Sequence, residues 1–281
     1  MKKTITLFSA LLFFVGFCAA QGNMNNLEQR GDDNSTNVTQ VGTQNQNLIK
    51  HEGSTNTLTL SQNGGSNSAE SQVVGSDNTI FIQQVGNGNQ GVSSIQANNN
   101  NASISSEGDG NIANQDLQSD DSQASIFQQG SNNRSIQQQL GLGNQVAESD
   151  IIGSNNLATQ AQNGDNQFSK LNVIGDGNVD VVTQNGVSNS MSAMVEGNGN
   201  DINVLQDGMN NFAGGPNDPR LIQTGNGNSI LLVQQGDSNG SSINQEGNMN
   251  SAINAQTGAD HTNIINQVGN RNSASVTQSN N

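Results

Sequence analysis

The sequence predicts an all-β chain: a two-sheet, cross-β β-solenoid of about eleven 22-residue rungs, each running strand, turn, strand, turn. Three observations predict it. Glycine falls at residues 31, 42, 53, 64, 75 and 86, an interval of 11 that returns to the C-terminus with few slips. Around each glycine one frame recurs, clearest in Asn78-Thr79-Ile80-Phe81-Ile82-Gln83-Gln84-Val85-Gly86-Asn87-Gly88-Asn89, where seven residues alternate and four turn. The slot two before the glycine then varies with period 22, as Gln40, His51, Gln62, Val73, Gln84, Ile95 and later Ile151, Gln162, Val173, Gln184, Val195, Gln206. Alternate strands therefore belong to two different sheets.

Residues 1–20 read as a cleaved signal peptide. Lys2 and Lys3 precede an apolar run from Ile5 to Phe17, and Cys18-Ala19-Ala20 offers small residues where a signal peptidase cuts. Lipid anchoring at Cys18 is disfavoured by the bulky Phe17, and the run is too short to span a bilayer, which takes about 20 apolar residues. The chain is thus expected to be exported, without membrane insertion. The exported chain holds no thiol and no disulfide. Its basic residues fall from 8 to 6 against 23 acids, a net charge of −17. That charge argues against nucleic acid and anionic lipid as partners.

Residues 21–33 form a degenerate first unit, in which Asn23, Asn25, Leu27 and Gln29 fit the frame loosely. From 34 to 281 the frame is firm. Taking asparagine, the residues two and four later, and glutamine as one face gives Asn34 to Gln40, Asn56 to Gln62, Asn78 to Gln84, Asn200 to Gln206, Asn228 to Gln234, Asn250 to Gln256 and Asn272 to Gln278. Side chains alternate across a strand, so these residues share the inward face and Thr79, Phe81 and Gln83 point out. Stacked every 22 residues, inward amides satisfy one another along the rod, where an isolated buried amide would cost roughly 1–3 kcal/mol. The turns must reverse the chain in four residues with φ > 0, which the turn glycines Gly42, Gly64, Gly86, Gly186, Gly208, Gly236, Gly247 and Gly269 allow.

Composition alone, with 30% hydrophobic residues and neither Trp nor Tyr, would suggest disorder. A disordered chain has no reason to hold apolar residues in register every second and every eleventh position.

Three slips break the frame. Gly141 to Gly153 spans 12 residues, which places Ala147, Ser149 and Ile151 inward and predicts a β-bulge near Val146. Asp180 falls on the inward face, which implies either local irregularity or a gatekeeper that lowers the polymerisation tendency. Gly208 to Gly225 spans 17 residues and holds both prolines, Pro216 and Pro219, which predicts a protruding loop at 212–220.

Chemical constellations are sparse. His51 occupies a glutamine slot and His261 an asparagine slot, so both read as ladder substitutes rather than metal ligands. Turn aspartates such as Asp109, Asp165, Asp176, Asp237 and Asp260 lack the nine-residue spacing of calcium-binding β-rolls and read as solvated turn residues. No Ser/His/Asp grouping, phosphate loop or paired carboxylates stand out, so neither enzyme activity nor a cofactor is expected.

The repeated strand-turn-strand unit, with its Gln-x-Gly-x-x-Asn turns, resembles the curlin repeat of curli subunits, the functional amyloid of Gram-negative biofilms. The resemblance covers Asn34 to Asn281 and is closer to a long, many-repeat curlin. It implies export through an outer-membrane secretion pore, nucleation by a second subunit, fibre polymerisation with itself at the cell surface, and service as biofilm matrix and adhesive fibre. A distinct pore-recognition segment is missing, so such a signal would overlap residues 21–33. The alternative is a monomeric secreted solenoid, an adhesin or ice-binding protein. Ice binding wants ranked outward Thr, whereas the outward triplets run Thr57/Thr59/Ser61, Thr79/Phe81/Gln83 and Val179/Val181/Thr183. Residues 273–281 read as one more strand without a cap, which favours polymerisation.

Overall fold

A computed structural model describes residues 22–215, 218–219 and 221–280; the expected signal peptide lies outside them. Every regular element among them is a β-strand, and the strands form two sheets of 12 and 13. Successive strands alternate between the sheets, so Met24–Arg30 pairs in parallel with Gln46–Glu52 and Ser35–Thr43 with Thr57–Gly65. Asn56, Leu58, Leu60 and Gln62 are buried between sheets while Thr57 and Thr59 are exposed, as the alternation requires. This is a parallel two-sheet β-solenoid with one rung per 22 residues. Twelve strands at the usual spacing make a rod of about 50 Å.

Most corners use two positive-φ residues. In Gly53-Ser54-Thr55-Asn56 these are Gly53 (φ 126°) and the β-branched Thr55 (φ 58°), a costly residue in that region. The first position is closed to side chains for a second reason: a Cβ at Gly53 would overlap the carbonyl oxygen of Gly75, one rung on. Glycine therefore serves both the turn and the close stacking of corners.

The hydrophobic core is divided. One cluster runs from Ile49 to Ile126 and another from Ile151 to Ile265. Between them lie buried amides and hydroxyls, including Gln137, Gln139, Gln145 and Ser149.

The slips resolve differently from expectation. The extra residue of the 12-residue interval is not near Val146, which pairs regularly with Gln123 and Phe168. The register shift lies between Leu140 and Gly143, at a corner where Gly141, Gly143 and Asn144 all have positive φ and Leu142 is 86% exposed. A corner absorbs a residue without interrupting a ladder, so the misplacement by a few residues has a physical reason. Ala147, Ser149 and Ile151 are buried as expected. The expected loop at 212–220 is narrower. Phe212 and Ala213 continue the second sheet opposite Ser190 and Met191, and Leu221–Thr224 resumes it opposite Ala193 to Glu196. Between them Asp218–Pro219 folds back antiparallel on Gly214 and Gly215. Residues 216, 217 and 220 lie outside the described set.

Asp180 is held in regular ladders between Ala158 and Ile202, which removes the irregular-strand reading.

Candidate functional site

The candidate functional elements are the side-chain ladders and the edges where they stop. In the first sheet an asparagine column runs unbroken through Asn23, Asn45, Asn67, Asn89, Asn111, Asn133, Asn156, Asn178, Asn200, Asn228, Asn250 and Asn272. Each Oδ1 accepts the backbone N–H of the next asparagine, as in Asn200 N–H to Asn178 Oδ1 at 2.9 Å. Each interior Nδ2 donates to a corner glycine carbonyl, as in Asn67 to Gly86 at 2.8 Å and Asn250 to Gly269 at 2.9 Å. The side chains therefore clamp backbone rather than only one another, which is where the sequence reading fell short. No local spacing flags it, because the bonds run to the next rung, as from Asn67 to a glycine 19 residues on.

The second sheet has its own column, Asn34, Asn56, Asn78, Asn100, then Ser122, Gln145 and Gln167, then Asn189, Asn211, Asn239 and His261. The fourteen ladder residues expected from the sequence divide between the two sheets. Asn34, Asn56 and Asn78 with Gln40, Gln62 and Gln84 stand in the second sheet; Asn200, Asn228, Asn250 and Asn272 with Gln206, Gln234, Gln256 and Gln278 stand in the first. The glycines divide likewise. Gly42, Gly64, Gly86, Gly247 and Gly269 turn the chain from second sheet to first, and Gly186, Gly208 and Gly236 from first to second.

The glutamine column changes sheet midway. In the second sheet Gln40 donates to Gln62 at 3.0 Å and Gln62 to Gln84 at 2.8 Å; Ser106 bonds Gln128, the slot turns apolar at Ile151, Val173 and Val195, and it returns to glutamine at Gln223, Gln245 and Gln267. In the first sheet the slot is apolar at Val73, Ile95 and Leu117, then runs Gln139, Gln162, Gln184, Gln206, Gln234, Gln256, Gln278 with Nε2 to Oε1 distances of 2.8–3.0 Å. Over the central rungs amides in one sheet accompany aliphatics in the other, so the core stays narrow without burying a second file of unpaired polar groups.

Asp180 has 0% exposure, and neither carboxylate oxygen has a hydrogen-bond partner. Burial, reinforced by the nearby Asp201 carboxylate, pushes its pKa well above the ordinary range. A neutral, protonated Asp180 is the state this core tolerates. His51, also fully buried, contacts Ser71 Oγ at 3.2 Å through Nε2, and burial lowers its pKa to about 4. His261 fills the end of an asparagine column, its ring Nε2 3.0 Å from the Thr257 carbonyl.

Turn carboxylates are engaged with protein. Oδ1 of Asp109, Asp165 and Asp176 accepts the backbone N–H of Asn87, Leu142 and Ser154 at 2.8–2.9 Å. Among the described residues no three His, Cys, Asp or Glu side chains are grouped to hold a metal ion.

Fold and ladders together define a parallel two-sheet β-solenoid. The curlin associated repeat family matches at residues 31–64 and 53–86, two matches offset by one rung. Residues 31–86 thus carry the curlin associated repeat, and the rung matched there continues in the structure to Ser279. No curated protein matches the chain.

Proposed function

We propose that the chain is a secreted, self-assembling curli-like amyloid subunit that stacks end to end into fibres, builds extracellular biofilm matrix and mediates surface adhesion. The role is structural rather than catalytic. A nucleating subunit and an outer-membrane secretion pore are its expected partners, on the family resemblance.

One observation carries the reading: the ladders are directional and stop at strands with the interior frame. In the first sheet each glutamine of the column from Gln139 to Gln256 donates Nε2 to the next rung, but Gln278, on the outermost strand Ser273–Ser279, donates only to the Thr262 carbonyl. At the other edge of the same sheet, Gln29 on Met24–Arg30 offers Oε1, its Nε2 being given to Thr36. A second copy would extend the column and pair the backbone edge, as cross-β stacking requires.

The test is to purify residues 21–281 and follow assembly. The expected result is a lag, thioflavin binding and a meridional reflection near 4.7 Å, with faster growth at acidic pH or high salt as carboxylate repulsion is relieved. A monomer that persists at high concentration would overturn the proposal and leave a monomeric adhesin.

A further inference from the structure

The interior changes character at one rung. In the first sheet the strand Arg134–Gly143 turns Ser135, Gln137 and Gln139 inward, all buried, with no aliphatic side chain among them. Ser135 stands between Ala113 and Ala158, and its hydroxyl has no hydrogen-bond partner. Gln139 stacks on Leu117, which cannot donate, so its Oε1 is unpartnered, whereas Oε1 of Gln162 receives the Gln139 amide at 3.0 Å. In the facing strand Val146–Ser154, Ser149 interrupts a column that holds Ile104 and Ile126 before it and Leu171 after it. The two hydrophobic clusters therefore meet here without joining, one ending at Ile126 and the other beginning at Ile151. The other irregularities do not divide the core. The second cluster includes Val182, two residues from Asp180, and continues through Ala213 and Leu221 on either side of the excursion.

We propose that this rung is a built-in opening point, at which the rod divides into two cooperative units, 24–131 and 157–279, each folding and opening as a whole. In a stacked-repeat protein each rung touches only its neighbours, so cooperativity runs as far as neighbour contacts are strong and breaks at the weakest interface. Apolar burial supplies most of such an interface, and an unpartnered buried polar atom subtracts from it. Both effects act here in one direction. Aliphatic contact is lost, and the Ser135 hydroxyl and Gln139 Oε1 are buried without partners. Register is nevertheless kept, because backbone pairing continues from Ile126 through Ser149 to Leu171, and Gln115, Gln137 and Gln160 pass amide bonds along at 3.1 and 2.9 Å. The units thus share ladders but no core. The consequence is a partly folded form in which one unit keeps its sheets while the other opens, and the folded unit is the template on which the other re-forms. This opening needs no second copy and does not rest on fibre formation.

The experiment follows amide hydrogen exchange by mass spectrometry in increasing urea, on freshly purified monomer of residues 21–281. The expected result is two urea transitions, one shared by the strands from Gln46–Glu52 to Gln123–Ser131 and the other by those from Leu157–Asp165 to Thr262–Val268. A single transition common to all of them, or a gradual loss rung by rung from the ends, overturns the proposal. Ser149→Val joins Ile126 to Leu171, and Gln160 Oε1, which loses the Ser149 hydroxyl at 2.9 Å, keeps the amide of Gln137 at 2.9 Å. The two transitions should then draw together, and an unchanged separation overturns the polar rung as their cause. Should Ser149→Val fail to fold, Ser135→Ala makes the same comparison in the other sheet by removing the unpartnered hydroxyl between Ala113 and Ala158. A narrower gap between transitions supports the proposal, and an unchanged gap overturns it.

Discussion

The Nδ2 of Asn56 donates to the carbonyl of Gly75 at 2.8 Å, and that same carbonyl oxygen is the atom a Cβ on Gly53 would strike. The glycine of one corner, the asparagine three residues on and the glycine of the next rung are therefore one device. Glycine lets the corners approach, and asparagine locks them once they have. The 11-residue interval measures the repeat of this clamp.

Substitutions at corner glycines should divide sharply. Gly64→Ala forces a methyl into the carbonyl of Gly86 at φ 132° and should cost at least about 2 kcal/mol. Gly88→Ala, at φ 66° with open space around it, should cost about 1 kcal/mol, the ordinary penalty for a left-handed residue. Guanidinium unfolding midpoints of the two variants would separate them; equal losses would mean that stacking clearance is irrelevant.

Ladder position should matter as much as ladder chemistry. Asn78 is fully buried, donates Nδ2 to Asn56 Oδ1 at 3.0 Å and to the Ala97 carbonyl at 2.8 Å, and accepts the Asn100 N–H at 3.0 Å. Asn78→Ala strands several of these groups away from water and should destabilise by roughly 2–4 kcal/mol. Asn34, at the half-buried outermost strand position, should cost less than about 1 kcal/mol on the same change, because water replaces the lost partners. The measurement is again the denaturant midpoint, with fibre growth rate as a second readout for Asn34.

Much of this was legible because it is local. Alternation from Thr79 to Val85 and the glycine at 86 dictate a strand, its inward face and its corner without reference to any distant residue. Sheet membership was harder: the glutamine slot leaves the second sheet after Gln128, enters the first at Gln139 and returns to the second at Gln223. That exchange coincides with the gap between the two hydrophobic clusters and with the extra corner residue, a combination visible only once rungs are aligned in space. The Asn-to-Gly bonds were likewise hidden, since they join residues 19 apart in sequence across the rung spacing.

Stability should respond to pH in two opposed ways. The folded-state pKa of Asp180 is raised, so the folded chain holds a proton the unfolded chain releases, and stability falls as pH rises above about 4. Asp180→Asn should therefore stabilise the protein at pH 7 and change little at pH 3. His51, lowered to about 4, works the other way. Its stability contribution is complete above about pH 6.5 and is lost as pH falls toward 4, by about 3 kcal/mol in all. His51→Gln should flatten that limb. Unfolding midpoints across pH 3–8 check both, and a wild-type slope retained in Asp180→Asn would rule out its titration as the cause.

The excursion between Ala213 and Leu221 invites the converse test, a deletion that should help. Removing residues 215–220 shortens the interval from Gly208 to Gly225 from 17 to 11 and places Asn211, Ala213, Leu221, Gln223 and Gly225 in the frame of every other rung. The flanking pairs already stand in register, with Ala213 opposite Met191 and Leu221 opposite Ala193, leaving one position for Gly214 opposite Ser192. Backbone strain on closure should thus be small, while the entropy of ordering six extra residues is saved. The expected outcome is an unchanged 4.7 Å reflection and a gain of about 1 kcal/mol in unfolding free energy. A loss would mean that the antiparallel contact of Asp218–Pro219 with Gly214 and Gly215 contributes more than the regular ladder it displaces.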